Sequence, residues 1–223
     1  MPLPQRIRME VAQGWLEGDL VEVPRARGLV LFVEGGPGVH RSSRNLRVGD
    51  WLHDAGFSTL IPDLLTRDEG RKDLMNGDVR FDVDLLAART LSAIEWIGQR
   101  PRLRTLPLGV FSAGTGTPAA LCAAADHPDK IGAIVSRGGR PDLARKILSR
   151  VITPTLLIVG GDDHPVIELN QEALNTMAGE RLLALVPGAS HLFEQPGALD
   201  EVGRMAVEWY EGQLAFAERY QAR

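Results

Sequence analysis

One pattern recurs along this chain: a short, continuously apolar run stops at a glycine-bearing turn, and a segment with helical spacing of apolar residues follows. Leu29-Val30-Leu31-Phe32-Val33 stops at Glu34-Gly35-Gly36-Pro37-Gly38, and Pro107-Leu108-Gly109-Val110-Phe111 runs into Ser112-Ala113-Gly114-Thr115-Gly116. Thr155 to Val159 stops at Gly160-Gly161 in the same way. Strands of this kind offer no polar face to water, so both faces must be covered, and the helical crossovers that parallel strands require supply the cover. The pattern therefore predicts a doubly wound, mostly parallel α/β sheet. Further strands are expected at 58–65, 131–135 and 182–186. Helices are expected at 45–55, 83–97, 115–125, around 143–148, at 167–177 and at 199–215.

Residues 7–23 behave differently. They alternate apolar and polar around Gly14 and Gly18-Asp19, which predicts an antiparallel hairpin at the N-terminal edge. Residues 66–80 are polar and weakly patterned; they read as a surface loop near the carboxyl ends of the strands, too short for a cap domain.

Length and charge narrow the function. At 223 residues and 44% hydrophobic, the chain suits one domain over 1–223. Its 25 basic and 29 acidic residues, a net charge of −4, form no basic stripe, so nucleic acid and anionic membrane are not expected partners. No apolar run approaches the roughly 20 residues of a membrane span, and the first residues lack a signal peptide's apolar stretch, so a cytoplasmic location is expected. Cys122, in an alanine-rich run, reads as helix packing.

In a sheet of this kind ligands bind where the strands end. The turn at Ser112 to Gly116 has the strand, sharp turn and helix of a nucleophile elbow, G-x-S-x-G, whose small residues let helix and strand pass closely. Two registers compete. Ser112 as nucleophile puts Val110 where close packing wants glycine and shortens the strand. Gly114 at the centre has small residues on both sides and a full-length strand, and fits better. Downstream, Asp162 and Asp163 follow the strand ending at Val159, and His191 follows the last strand. Nucleophile, acid, histidine is the chain order of α/β-hydrolases, with His191 as general base and Asp163, or failing that Asp162, orienting it. The alternative role for the acids is to cap the next helix. His40, His53 and His127 follow no core strand and read as structural. Arg137 follows the 131–135 strand and is either a bidentate donor to an anionic substrate or an ion-pair partner of Asp142 or Asp163.

These stretches, with Ser136 to Asp142, Leu157 to Val166 and Pro187 to Glu194, resemble the dienelactone hydrolase-like branch of the α/β-hydrolases from Gly28 to about Trp209. The resemblance implies an α/β-hydrolase fold without a cap, and no cofactor or metal. It implies activity on a small carboxylic ester, lactone or related metabolite, with the family's serine or cysteine falling on Gly114, its acid on Asp163 and its histidine on His191. The loop after the first core strand resembles the His-Gly-Gly-Pro-Gly oxyanion loop of related hydrolases, with Glu34 in place of the histidine. The expected oxyanion donors are the N–H groups of Thr115 and of Gly35 or Gly36, and the Glu34 carboxylate opposes the charge they stabilise unless it is protonated or turned to solvent. Serine-type acyl transfer is thus expected to be lost, or replaced by water activated by His191 and Asp163 with Glu34 sharing the base role. The alternatives are a catalytically silent binding protein and an ordinary hydrolase into which Gly114 has been introduced.

Overall fold

Eight strands form one sheet in the order β1-β2-β4-β3-β5-β6-β7-β8. The computed structural model describes residues 2–221 and the side chains of 2–214. The strands are β1 (Gln5–Val11), β2 (Gly14–Val21), β3 (Gly28–Glu34), β4 (Phe57–Pro62), β5 (Leu108–Ala113), β6 (Ala133–Arg137), β7 (Thr155–Gly160) and β8 (Arg181–Val186). The helices are α1 (Ser43–Asp54), α2 (Arg67–Asn76), α3 (Val83–Gly98), α4 (Gly116–Asp126), α5 (His164–Thr176) and α6 (Ala198–Gln221). β1 and β2 form the expected hairpin and β2 joins β4 antiparallel; all pairings from β4 to β8 are parallel. This is the α/β-hydrolase arrangement with an antiparallel edge and no cap.

Alternation along each strand divides the core into two layers. In β3, Leu29, Leu31 and Val33 join the layer under α3, α4 and α5, while Val30 and Phe32 join the layer under α1 and α6. All five are 0–1% exposed, which makes each worth about 1.5–3 kcal/mol of burial. Helix α6 is held to the sheet centre by Tyr210, whose hydroxyl donates to the Val110 carbonyl at 2.7 Å. Gly109 makes room for the ring: a Cβ there would lie 2.6 Å from Tyr210 Cε1.

Several segments depart from the sequence expectations; the strand expected at 58–65, for one, ends at Pro62. Residues 66–80 are not a loop. They form α2, closed at its start by a capping box between Thr66 and Glu69 and at its end by Gly77 in the left-handed region at φ 72°, and then a 3-10 turn at Val79–Phe81. The helix expected around 143–148 is divided into two 3-10 turns, Pro141–Ala144 and Leu148–Arg150. β5 and β6 also extend further than expected, so Ser112 and Arg137 lie within strands and not in the turns after them.

Candidate active site

The carboxyl end of β5 sets the geometry. Ala113 is its last residue, Gly114 turns the chain at φ 51°, and Thr115 precedes α4. Two glycines serve different physical ends here. A Cβ on Gly116 would lie 2.1 Å from the Val33 carbonyl oxygen, so only glycine lets α4 start against β3. Gly114 is needed for its left-handed backbone and not for lack of space: a Cβ there has no atom within 4 Å apart from its chain neighbours. Ser112 is fully buried on the opposite side of the strand. Its hydroxyl donates to the Val135 carbonyl at 3.3 Å and lies 3.1 Å from Thr117 Oγ1, which lies 2.8 Å from Ser136 Oγ. The three hydroxyls thus form one buried hydrogen-bonded chain.

Across the sheet, Glu34, Ala113 and Arg137 stand side by side in register on β3, β5 and β6. Parallel neighbours in register share a face, and the small Ala113 lets the two long side chains approach over it, with Arg137 Nη2 3.9 Å from Glu34 Oε2. That oxygen also accepts from Asn45 Nδ2 on α1 at 2.8 Å. Glu34 is therefore turned toward Asn45 and Arg137 and away from solvent, with 23% of its side chain exposed. Arg137 is 5% exposed, and its guanidinium lies 5.8 Å from the Phe111 ring centroid. Burial lowers its pKa to about 10, against the opposing pull of Glu34. Its Nη1 is buried with no hydrogen-bond partner among the described residues. The ion pairs expected for Arg137 do not form, because Asp142 is taken by Arg140 through two 2.8 Å contacts and Asp163 by His191.

The turns after β7 and β8 are packed into one another. A Cβ on Gly160 would lie 2.4 Å from the Ala189 carbonyl oxygen, and Asp162 N–H donates to that carbonyl at 3.0 Å. Phe193, held at φ 55° and 1% exposed, anchors the far side of the second turn. The result is a 2.7 Å contact between His191 Nδ1 and Asp163 Oδ2. Because a carboxylate only accepts, Nδ1 carries a proton, which leaves Nε2 as the proton-accepting nitrogen of the neutral ring. The histidine side chain is 51% exposed and the aspartate 12%. Asp163 does stand at the N-cap of α5 but makes no side-chain cap bond, and Asp162 is exposed.

Segment 138–140 touches both halves of the site. Arg140 N–H donates to the Gly114 carbonyl at 3.2 Å, and a Cβ on Gly138 would lie 3.7 Å from His191 Cε1. On the other side of the turn, a Cβ on Gly35 would lie 2.3 Å from Thr115 Oγ1, so the loop after β3 lies directly against the start of α4. Among the described residues the N–H groups of Gly35, Gly36 and Thr115 donate to no other backbone group.

His40 and His53 lie elsewhere. His40 is buried, with Nε2 contacted by Arg6 at 2.6 Å and Arg41 at 3.0 Å and Nδ1 2.9 Å from Asp63. His53 contacts Thr59 Oγ1 at 2.8 Å, and burial lowers its pKa against the pull of Asp50 and Asp54. Cys122 is part-buried on α4 against the core, and burial raises its pKa. Among the described residues no three His, Cys, Asp or Glu side chains converge on a metal position, and no helix is long and apolar enough to cross a membrane.

Two contributions to the site were not read from the sequence. Asn45 is one; a lone polar residue on a helix carries no signal of a partner eleven positions earlier. The other is Asp73, whose fully buried carboxylate receives Arg80 N–H and Nε, both at 2.8 Å. This clamp holds the 3-10 turn so that the Arg80 carbonyl would meet a Gly35 Cβ at 2.8 Å, walling the loop after β3. The Thr66-x-x-Glu69 pattern was the available signal for that helix.

Comparison with known proteins gives the setting for this geometry. The model of the dienelactone hydrolase family matches residues 20–220. A putative phosphoribosyl transferase of Mycobacterium tuberculosis strain H37Rv is 47% identical over 193 residues, which is 86% of this chain and 43% of that protein. The chain thus spans less than half the length of the curated relatives it matches. The crystal structure of a dienelactone hydrolase from Anabaena variabilis superposes with a TM-score of 0.92 at 45% identity, covering 96% of this chain and 99% of that one. Est1E from Butyrivibrio proteoclasticus shares the fold, with a TM-score of 0.79 at 15% identity over 94% of this chain and 99% of its own.

Proposed function

The chain belongs to the dienelactone hydrolase family, and from that premise we propose that it hydrolyses small carboxylic esters or lactones using water as the attacking group. The observation that carries this reading is the intact His191–Asp163 pair beside an elbow turn whose central residue, Gly114, has no side chain to attack with. Against Ser112 as a substitute stand its full burial in β5 and the contacts of its hydroxyl with the Val135 carbonyl and Thr117.

In this mechanism His191 Nε2 takes a proton from water as the oxygen adds to the substrate carbonyl. Asp163 holds the ring in the required tautomer and stabilises the imidazolium. The N–H groups of Thr115 and of Gly35 or Gly36 stabilise the oxyanion. The tetrahedral intermediate then collapses, and His191 returns its proton to the departing alkoxide. Glu34, drawn toward Asn45 and the Arg137 cation, presents less uncompensated charge to the oxyanion than a free carboxylate would. Arg137 acts here through Glu34 and not as a direct substrate ligand.

The test is a comparison of initial rates on short-chain aryl esters for this chain and for Gly114→Ser, with fluorophosphonate labelling of both. The proposal expects turnover without labelling in the unchanged chain and labelling at position 114 in the serine variant. A labelled Ser112 peptide would move the nucleophile to that residue. No turnover in the unchanged chain, with ligand-dependent rises in melting temperature, would favour the second reading, a silent binding protein derived from a hydrolase.

A further inference from the structure

The segment that follows β6 is tied to three different elements by consecutive residues. Gly138 N–H donates to the Ile158 carbonyl of β7 at 2.8 Å, and Arg140 N–H to the Gly114 carbonyl of the elbow at 3.2 Å. Between them the buried Gly139 carbonyl accepts from Asn170 Nδ2 of α5 at 3.0 Å. Gly138, at φ 53°, faces the turn after β8: a Cβ there would lie 3.4 Å from the His191 carbonyl oxygen, 3.6 Å from Phe193 Cε2 and 3.7 Å from His191 Cε1. The strap formed by 138–140 therefore meets the elbow at one end and the imidazole edge at the other. Asn170 itself is 0% exposed, and its Oδ1 has no hydrogen-bond partner among the described residues. Its second Nδ2 bond, 2.8 Å to the Val166 carbonyl, goes to an oxygen one turn back that the helix ladder itself uses. Of the two bonds only the one to Gly139 leaves α5. An orphaned buried amide oxygen costs free energy that an apolar side chain would not, so helix packing alone does not account for this asparagine.

We propose that Asn170 is a positioning residue: by holding the Gly139 carbonyl it fixes the 138–140 strap, and the strap fixes where His191 Nε2 points relative to the turn at Gly114. The proposal rests on the reading above that His191 is the general base. Asp163 stands at the N-cap of α5 and Asn170 two turns further on, so one rigid helix carries both the carboxylate behind His191 Nδ1 and the amide that anchors the strap beside Cε1. The two holds do different things. The bond to Asp163 sets the tautomer, but a single hydrogen bond leaves the ring free to pivot about it, and the strap limits that pivoting. Asn170 takes no part in the proton transfers and, being fully buried, does not meet substrate. Misplacing a catalytic group by about 1 Å costs about 100-fold in rate, so the hold acts on turnover and not on substrate affinity.

The experiment compares Asn170→Leu, which keeps a similar volume and removes the donor, with Ala173→Gly, which loosens the same helix at a buried position that makes no bond to the strap. Melting curves check that both fold, and Asn170→Ala, which removes the donor without added bulk, replaces the leucine variant if that one does not. The first readout is nitrogen–proton NMR of the His191 ring at a pH where it is neutral, which requires no turnover. The second is kcat and KM on a short-chain aryl ester. In Asn170→Leu the Nδ1 proton resonance should broaden and move upfield, as the ring samples positions off the Asp163 bond, and kcat should fall about ten-fold or more with KM within about two-fold. Ala173→Gly should leave the resonance and kcat as they are in the unchanged protein. A His191 resonance that stays in place in Asn170→Leu, or moves equally in Ala173→Gly, would overturn the positioning role, as would an unchanged kcat in an active protein. Absence of turnover in the unchanged chain would overturn the hydrolase reading alone, and the NMR comparison would still decide whether Asn170 positions the ring.

Discussion

His191 Nδ1 and Asp163 Oδ2 meet at 2.7 Å although 28 positions separate them in the chain. The contact depends on the two turns that carry them being interlocked through Gly160, Ala189 and Asp162. A half-exposed pair of this kind contributes little to stability, about 0–1 kcal/mol, so its value lies in fixing a tautomer. His191→Ala is expected to lower ester turnover by about 10²–10⁴-fold and Asp163→Asn by a large part of that, because asparagine no longer demands the proton at Nδ1. Both should melt within a few degrees of the unchanged protein. Initial rates and thermal melts check this; a large fall in melting temperature would mean that the pair is structural.

Glycine substitutions in the elbow should separate backbone strain from collision. Gly116→Ala puts a methyl group 2.1 Å from the Val33 carbonyl oxygen, and neither backbone can give way without parting α4 from β3. A loss of about 3 kcal/mol or more is expected. Gly114→Ala adds its methyl group to open space and bears only the left-handed backbone, about 1–2 kcal/mol. Urea unfolding of the two variants measures the difference. Equal losses would show that the open space at Gly114 fills on relaxation.

The sheet was legible because its strands are continuous apolar runs and its turns are marked by glycine; the two-layer burial of Leu29 to Val33 is what such a run requires. The sequence-derived positions His191 and Asp163 come together because strand order brings successive parallel turns to one edge. What stayed hidden was lateral. The Glu34–Arg137 approach needs register across three strands and a small residue between them, neither of which is encoded locally. Helix α2 was obscured by its polarity. Its stability comes from the Thr66 capping box and from Asp73, a buried carboxylate whose partner, Arg80, lies beyond the helix.

That carboxylate gives a pH signature. Burial pushes the Asp73 pKa up, but hydrogen bonds and charge from Arg80 outweigh it and hold it below the usual 3.8. A depressed acid stabilises the fold above its unfolded pKa, and this contribution is lost as pH falls below about 3.8 through the folded value. Asp73→Asn should cost about 2 kcal/mol near neutrality, the worth of charge-assisted hydrogen bonds. Its difference from the unchanged protein should shrink as pH falls below about 3.8. Urea unfolding at pH 7, 5 and 3.5 reads this directly, and a difference constant with pH would assign the loss to packing.

Glu34 and Arg137 should behave as a coupled pair. The guanidinium is buried, its pKa is lowered to about 10 by that burial, and Glu34 is the anion that opposes the shift. Removing the anion alone leaves an uncompensated buried cation, so Glu34→Gln should destabilise by about 1–2 kcal/mol, below the usual 3–5 for a broken buried pair because the contact is 3.9 Å and Glu34 is part-exposed. Arg137→Met removes the desolvated charge and packs its chain against Phe111. The double variant should therefore be more stable than Glu34→Gln, with a coupling energy of about 1 kcal/mol or more in a double-mutant cycle. In Arg137→Met alone, Glu34 loses its compensating cation and its full charge faces the oxyanion, so turnover should fall while stability holds. Turnover restored in the double variant would trace that fall to Glu34, whereas turnover still depressed would show that Arg137 itself meets the substrate.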